Sequence, residues 1–144
     1  MTPSPTTQNL LALIGRALIA LLFIPSGLSK LTGFAGTVRY ISAAGLPLPE
    51  VAAAVAIFVE VVLALLLLVG YQTRWTALAI AVYTAVLAFA FHQYWDFPAA
   101  QMMAQKFNFY KNLAVTGGLL GLVAWGAGGW SIDGMRGRTS PATA

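Results

Sequence analysis

The sequence predicts an all-α protein, a four-helix transmembrane bundle with short interfacial helices in its two long loops. Of its 144 residues, 59% are hydrophobic and only 8% are charged, whereas a soluble domain usually carries about 25% charged residues. Four apolar stretches approach the roughly 20 residues that a helix needs to cross a bilayer. A chain this short and apolar cannot cover its surface with polar groups, so we expect the lipid bilayer to surround it.

The four apolar stretches predict four membrane-spanning α-helices. Backbone groups inside hydrocarbon must be paired within their own segment, and the stretches lack the strict alternation of barrel strands. A tight turn at 70–74 joins the second helix to the third, while the other two connections are longer. The predicted spans are 10–28, 51–69, 75–91 and 109–127.

Each of the two longer connections contains a segment that predicts a short helix. The segment TVRYISAAG lies in the first, where Gly45, Pro47 and Pro49 stop it. The segment AAQMMAQKF lies in the second. Aromatic side chains near the predicted helix ends form the belt typical of the headgroup layer. They are Tyr71, Trp75, Tyr94, Trp95, Tyr110, Trp125 and Trp130.

A single domain at 10–133, with short polar termini at 1–9 and 134–144, accounts for the chain. The first apolar stretch has no basic residue before it and no A-x-A-like site after it, so we expect a retained helix rather than a cleaved signal peptide. Four crossings place both termini on one side of the membrane. Arg136 and Arg138 beside the last helix favour the cytoplasm for that side.

The composition excludes several kinds of site. The chain has no cysteine and one histidine, which rules out disulfides, iron–sulfur clusters, bis-histidine haem and a conventional zinc site. We therefore predict no metal and no intrinsic cofactor. The net charge of +4 comes from scattered residues rather than a basic run, so nucleic acid is not an expected partner. The sequence leaves the oligomeric state open.

Charged side chains inside the predicted spans mark the candidate site. An ionisable group in hydrocarbon costs about 2.5–3.5 kcal/mol on insertion scales, so such groups usually face the bundle interior. Glu60 lies near the middle of the second span, about 14 Å below the surface that carries the long loops. Arg16 lies in the first span, and we expect it to reach toward Glu60 from the opposite side.

Other polar residues are expected to approach the same half of the membrane and to line a polar pocket opening on the long-loop face. Lys30 lies at the end of the first helix and His92 at the end of the third, while Lys111 and Asn112 lie at the start of the fourth. Glu60 and His92 are the candidates for catalytic proton exchange. The candidates for substrate binding are Arg16, Lys30, Lys111 and Asn112.

Each candidate also has a purely structural interpretation. A pair of Glu60 with Arg16 or Lys111 would fix the register of two helices without any chemistry. Lys30 would extend to the headgroups, His92 would be hydrogen-bonded at a helix end, and Asn112 would only form a hydrogen bond between helices.

A glycine pattern in the fourth stretch predicts close packing between helices. Gly117 and Gly121 form a G-x-x-x-G motif with Gly118 beside it, and small residues at this spacing let helix backbones approach one another in membranes.

Three segments of the chain resemble the DoxX family: GRALIALLFIPSGLSKLTGF, IFVEVVLALLLLVGYQTRWTA and FYKNLAVTGGLLGLVAWGAGGWSID, with His92 between the last two. The resemblance spans roughly 10–133. It implies a small bacterial inner-membrane protein similar to the membrane subunit of thiosulfate:quinone oxidoreductase, and hence quinone-linked chemistry or oxidative-stress defence. The positions that carry it are Arg16, Ser26, Gly27, Lys30, Glu60, Lys111, Asn112, Gly117 and Gly118.

Three functions fit these observations. The first is a redox-associated membrane protein, in which a bound quinone and a soluble or membrane redox partner carry the electrons, because the chain has no redox group of its own; whether it is itself an oxidoreductase subunit is left open. The second is a small proton-coupled transporter, since proton relays are built from buried glutamates among basic groups. The third is a non-catalytic membrane partner of a redox enzyme.

Overall fold

A computed structural model describes residues 4–139, and all regular secondary structure in this range is helical, as predicted. The outer ends of the predicted polar termini lie outside the described residues. The elements are α1 (Pro5–Thr32), α2 (Phe34–Ala43), α3 (Pro49–Ile57), a π-helical segment (Phe58–Leu63), α4 (Ala64–Val69), α5 (Thr73–Phe91), a 3-10 turn (Tyr94–Asp96), α6 (Ala99–Trp125) and α7 (Ile132–Thr139).

Three helices of the described chain are long and apolar enough to cross a membrane. They are α1, the continuous helix Pro49–Val69 (α3, the π-helical segment and α4) and the span Thr73–Asp96 (α5 and the 3-10 turn that follows it). The mean hydropathies of their most apolar 18-residue windows are 2.0, 2.9 and 1.7. Helix α6 has 27 residues, a length of about 40 Å, but Lys111 and Asn112 make it less apolar than the others. A fourth crossing by α6 therefore stays a prediction.

The two long connections differ from each other. The first contains α2 at Phe34–Ala43, which confirms the predicted short helix. The separate short helix predicted in the second was wrong, because residues 99–108 form the first turns of α6. Pro98 immediately precedes the first residue of α6, and no glycine or proline interrupts the next 18 residues. Lys111 and Asn112 consequently lie well inside a helix rather than at its start.

The hydrophobic core is formed by alanines and larger apolar side chains from α1, the helix Pro49–Val69, α5 and α6. Alanine at several of these positions lets the helices approach closely. The predicted packing through Gly117, Gly118 and Gly121 was wrong within the described chain. A Cβ atom at Gly117 or Gly118 would meet no described atom within 4 Å, and one at Gly121 would meet only Trp125 of the same helix. The core residues are Phe23, Val59, Ala64, Leu67, Ala77, Ile80, Ala81 and Leu119.

The turn between α4 and α5 is held by the start of α7. Gly70 ends α4 with φ of 70°, and its carbonyl oxygen accepts a hydrogen bond from Asp133 N at 2.9 Å. The Asp133 carboxylate accepts from Gln72 N at 2.8 Å and from Thr73 N and Oγ1, both at 2.7 Å. A helix leaves such N-terminal groups unpaired and favours negative charge there. Asp133 therefore caps α5 from a distant part of the sequence.

The pKa of Asp133 reflects this capping role. Burial alone would raise its pKa, but the hydrogen bonds from Thr73 and Gln72, together with the nearby charge of Arg136, outweigh burial and lower the pKa below its usual value. The carboxylate is thus held in its charged form at the start of α5.

Arg16 forms its hydrogen bonds at the same end of the molecule, where α4 ends. Its side chain is completely buried, and its guanidinium donates to Ala12 O at 3.3 Å, Leu68 O at 2.8 Å and Trp130 O at 2.6 Å. The Leu68 carbonyl lies in the last turn of α4, where acceptors have no helical donor. The predicted pairing of Arg16 with Glu60 was wrong, because side chains tilt toward the N-terminus of their own helix and carry this guanidinium toward the α4 end.

Candidate functional site

Glu60 is buried between α1 and α5 and is paired on both carboxylate oxygens. Its side chain is 3% exposed. Oε2 accepts a hydrogen bond from Lys30 Nζ at 2.7 Å, and Oε1 accepts from the Tyr83 hydroxyl at 2.6 Å. Lys30 Nζ also donates to Ser26 Oγ at 2.7 Å. The result is an ion pair with hydrogen bonds to both partners, the arrangement that a buried charge requires.

The local backbone explains how Glu60 reaches this position. It lies within the π-helical segment Phe58–Leu63, and such wider turns often occur at functional sites. Gly27 of α1 faces this segment so closely that a Cβ atom there would lie 2.9 Å from Glu60 Cβ and 3.1 Å from its carbonyl carbon. Lys30 lies near the end of α1, and its side chain runs back toward the helix N-terminus to reach Glu60.

We expect Gly27→Ala to lower the free energy of unfolding by roughly 1–3 kcal/mol, the usual cost of overpacking. The added methyl group would lie 2.7 Å from Val61 Cγ2 and press on the backbone that carries Glu60. The measurement is the thermal midpoint of the detergent-purified protein. Gly15→Ala in the same helix is the control, because a methyl group there meets nothing within 4 Å; equal midpoints for the two variants would contradict the close contact.

A cavity of about 410 Å³ adjoins the Lys30–Glu60 pair, between α2, α3 and α5. Its volume falls within the range of roughly 300–1,000 Å³ that is typical of ligand sites. A few polar groups interrupt a largely apolar wall, which is also typical of such sites. The main apolar lining residues are Ile41, Ala52, Val55, Val86, Leu87 and Phe91, and the polar ones are Lys30, Thr37, Tyr40, Glu60, Tyr83 and His92.

Of the predicted site residues, the structure brings Lys30, Glu60 and His92 to this cavity. His92 follows the last residue of α5, and its Nδ1 shares a hydrogen bond with Gln105 Oε1 at 2.7 Å. When Nδ1–H is the donor in that bond, Nε2 is the ring nitrogen that accepts a proton. His92 thus contributes a further polar group to the cavity lining.

The structure does not place Arg16, Lys111 or Asn112 at the cavity, which corrects the predicted pocket. Among the described residues, the cavity lining includes no residue of α6, because α6 packs along α5 while the cavity lies between α5 and the helices α2 and α3. Lys111 Nζ instead donates to Asn108 Oδ1 at 3.0 Å, and Asn112 is buried with 8% exposure.

Sequence reasoning missed Tyr83, the partner of Glu60. Its signal was available, since Tyr83 lies in the middle of an apolar span and far from the headgroup belt. A phenol hydroxyl at that depth has no water to bind and needs a partner inside the protein. A mid-span tyrosine therefore indicates a buried acceptor on a neighbouring helix.

Comparison with known proteins is consistent with this architecture. Residues 11–93 match the family model described as DoxX. The chain is 38% identical over 126 residues to the inner membrane protein YphA of Escherichia coli K12, covering 88% of this chain and 90% of that protein. It is 40% identical over 124 residues to the inner membrane protein YqjF of the same organism, covering 84% and 88%.

A more distant relative is eukaryotic. The Surfeit locus protein 4 homolog of Drosophila melanogaster is 32% identical over 74 residues, which cover 50% of this chain and 27% of that protein. No solved structure matches the chain.

Proposed function

This chain, a multi-pass inner-membrane protein, belongs to the DoxX family, and we propose that it binds the head group of a membrane quinone in the cavity beside Glu60 and exchanges protons with it. The observation that carries the proposal is the Lys30–Glu60–Tyr83 group, three hydrogen-bonded polar side chains that line a largely apolar cavity. An amphipathic molecule needs both kinds of surface.

The residues at the cavity fit a quinone head group. Quinone carbonyl oxygens require hydrogen-bond donors, and a lysine ammonium has three. Ser26 and Glu60 occupy two of these, and the Lys30 side chain is 29% exposed, so one donor remains for a ligand oxygen. The apolar wall suits the methylated ring and its substituents.

The protein's own groups would bind, orient and move protons. A bound quinone would supply the redox chemistry, with electrons delivered by a partner protein. Lys30 would hold a ligand oxygen, and Glu60 would be the carboxylate that gives or takes a proton beside it. Tyr83 would keep the carboxylate in place through Oε1 while Lys30 turns toward the ligand.

The first test is binding of decylubiquinone to the detergent-purified protein by equilibrium titration. We expect Lys30→Gln to raise the Kd about tenfold, the loss of one charge-assisted hydrogen bond. Lys106→Gln is the matched control, since that lysine is exposed and away from the cavity lining. A wild-type protein that binds no quinone would overturn the proposal.

The second test separates binding from proton exchange. We expect Glu60→Gln to retain quinone binding but to reduce quinone turnover about tenfold or more, measured in membranes supplied with NADH or thiosulfate at equal protein levels. Equal turnover for the wild type and the variant would contradict a proton-exchange role. Proton-coupled uptake in liposomes without quinone binding would instead favour the transporter hypothesis.

A further inference from the structure

The cavity beside Glu60 reaches the lipid-facing surface of the bundle. Val55 of α3 and Val86 of α5 both line it, and they are 50% and 58% exposed. Both residues lie inside membrane-spanning helices, where the exposed surface of a valine faces hydrocarbon rather than water. The two valines therefore mark an opening toward the interior of the bilayer.

The path of the helices produces this opening. Helix α5 packs against the π-helical segment and α4, but it makes few contacts with α3. The continuous helix Pro49–Val69 thus diverges from α5 along its first half, between Pro49 and Glu60. Helix α2 packs against α3 and contributes Tyr40 and Ile41 to the cavity wall, which covers the cavity on the side of the long loops.

An aromatic pair lies on the side of the cavity that faces the long loops. The rings of Tyr40 and Phe91 stack with centroids 5.4 Å apart and an angle of 14° between their planes. Both residues line the cavity and also a neighbouring one that contains Gln101 and Gln105. The stacked rings thus lie between the Glu60 cavity and the more polar cavity beside the loops.

The polar and apolar parts of the cavity lining differ in exposure. The Lys30–Glu60–Tyr83 group surrounds the buried carboxylate of Glu60, which is 2% exposed, whereas Val55 and Val86 are half-exposed. Thr37, Tyr40 and His92 add polar groups on the side of the long loops. A water-soluble molecule would have to pass an apolar mouth and leave its hydration shell to reach the carboxylate. A molecule with a polar head and an apolar tail matches both parts of the lining when the head is inside and the tail remains in the lipid.

We propose that the ligand is a membrane-dissolved lipid with a small polar head and one long apolar tail, which enters sideways between α3 and α5, head first. The proposal rests on the proposed function for the identity of the site, but it does not require the head to be a quinone. The tail leaves the cavity past Val55 and Val86 and stays among the acyl chains.

The absence of cysteine from the chain allows a test with single spin labels in liposomes. Nitroxides are attached to Val55→Cys and Val86→Cys at the mouth, and to Leu21→Cys as the control, because Leu21 is 68% exposed on α1 and away from the cavity lining. We expect all three labels to be reached by oxygen and not by a water-soluble nickel chelate. A label at Val86→Cys that the chelate reaches as readily as oxygen would overturn a lipid-facing mouth.

Three probes, compared at equal mole fraction in the lipid, then identify the ligand class. Decylubiquinone is expected to lower oxygen access to the two mouth labels about twofold, with no change at Leu21→Cys, while its tailless analogue 2,3-dimethoxy-5-methylbenzoquinone has no such effect. If 4-nonylphenol acts as well as decylubiquinone, the sideways entry stands and quinone specificity fails. An equal effect of the tailless quinone, or no effect of either tailed probe, would overturn the entry route.

Discussion

Arg16→Met is expected to lower the free energy of unfolding by roughly 3–5 kcal/mol, since hydrogen bonds to a charged group contribute about 1.5–3 kcal/mol each and a buried acceptor left unpaired adds to the loss. The variant keeps the approximate length of the side chain but removes every donor to Leu68 O and Trp130 O. The Arg16 side chain is completely buried, so water does not readily take the place of the donors that the substitution removes.

The measurement is SDS-induced unfolding in mixed micelles, followed by far-UV circular dichroism. Arg39→Met makes the same chemical change at an exposed arginine of α2 and is expected to shift the unfolding curve by less than about 0.5 kcal/mol. If the two arginine variants unfold alike, the guanidinium of Arg16 does not hold the α4 end and the C-terminal segment together.

The role of Arg16 shows where sequence reasoning reached its limit. Its position inside an apolar span correctly marked it as a costly charge that must be buried. Its partners are backbone carbonyls, one of them Trp130 O, in a segment with Gly126 and Gly128 at positive φ. Hydrophobic periodicity carries no information on such a turn, so reasoning from charge alone selected Glu60 as the partner.

The three most apolar helices were predictable because the backbone groups of an apolar segment in lipid must be hydrogen-bonded within that segment, as they are in an α-helix. The first and last residues of these helices were less predictable. Helix α1 begins at Pro5 rather than at residue 10 because Ser4 Oγ accepts a hydrogen bond from Thr7 N at 3.2 Å, an N-cap arrangement. Helices thus extend beyond their apolar stretches, and the start of α6 at Ala99 places Lys111 and Asn112 in its interior.

The candidate site was predictable in part. The cost of charge in lipid identified Glu60 and Lys30, which the structure joins directly. The π-helical segment was not predictable, because the sequence does not show where two helices approach as closely as Gly27 approaches the backbone around Glu60. One additional residue in a helical turn rotates the residues that follow it, so the side chains facing a cavity cannot be assigned from regular 3.6-residue spacing alone.

Lys30→Met is expected to lower the free energy of unfolding by about 2–3 kcal/mol, somewhat less than the loss for breaking a fully buried pair, because Lys30 is itself 29% exposed. The Glu60 carboxylate would remain buried with only the Tyr83 hydroxyl as its partner. Glu60→Gln is expected to cost only about 1 kcal/mol, because an amide oxygen still accepts from Tyr83 and Lys30 keeps its bond to Ser26. The same SDS titration measures both losses.

The double variant Lys30→Met, Glu60→Gln separates folding from chemistry. Because the unpaired carboxylate is gone, we expect it to regain about 1–2 kcal/mol relative to the sum of the single losses, a coupling that a double-mutant cycle measures directly. Quinone binding should stay as weak as in Lys30→Met, since the donor to the ligand oxygen is still absent. Strictly additive losses would mean that the charges of Lys30 and Glu60 do not stabilise each other in the folded protein.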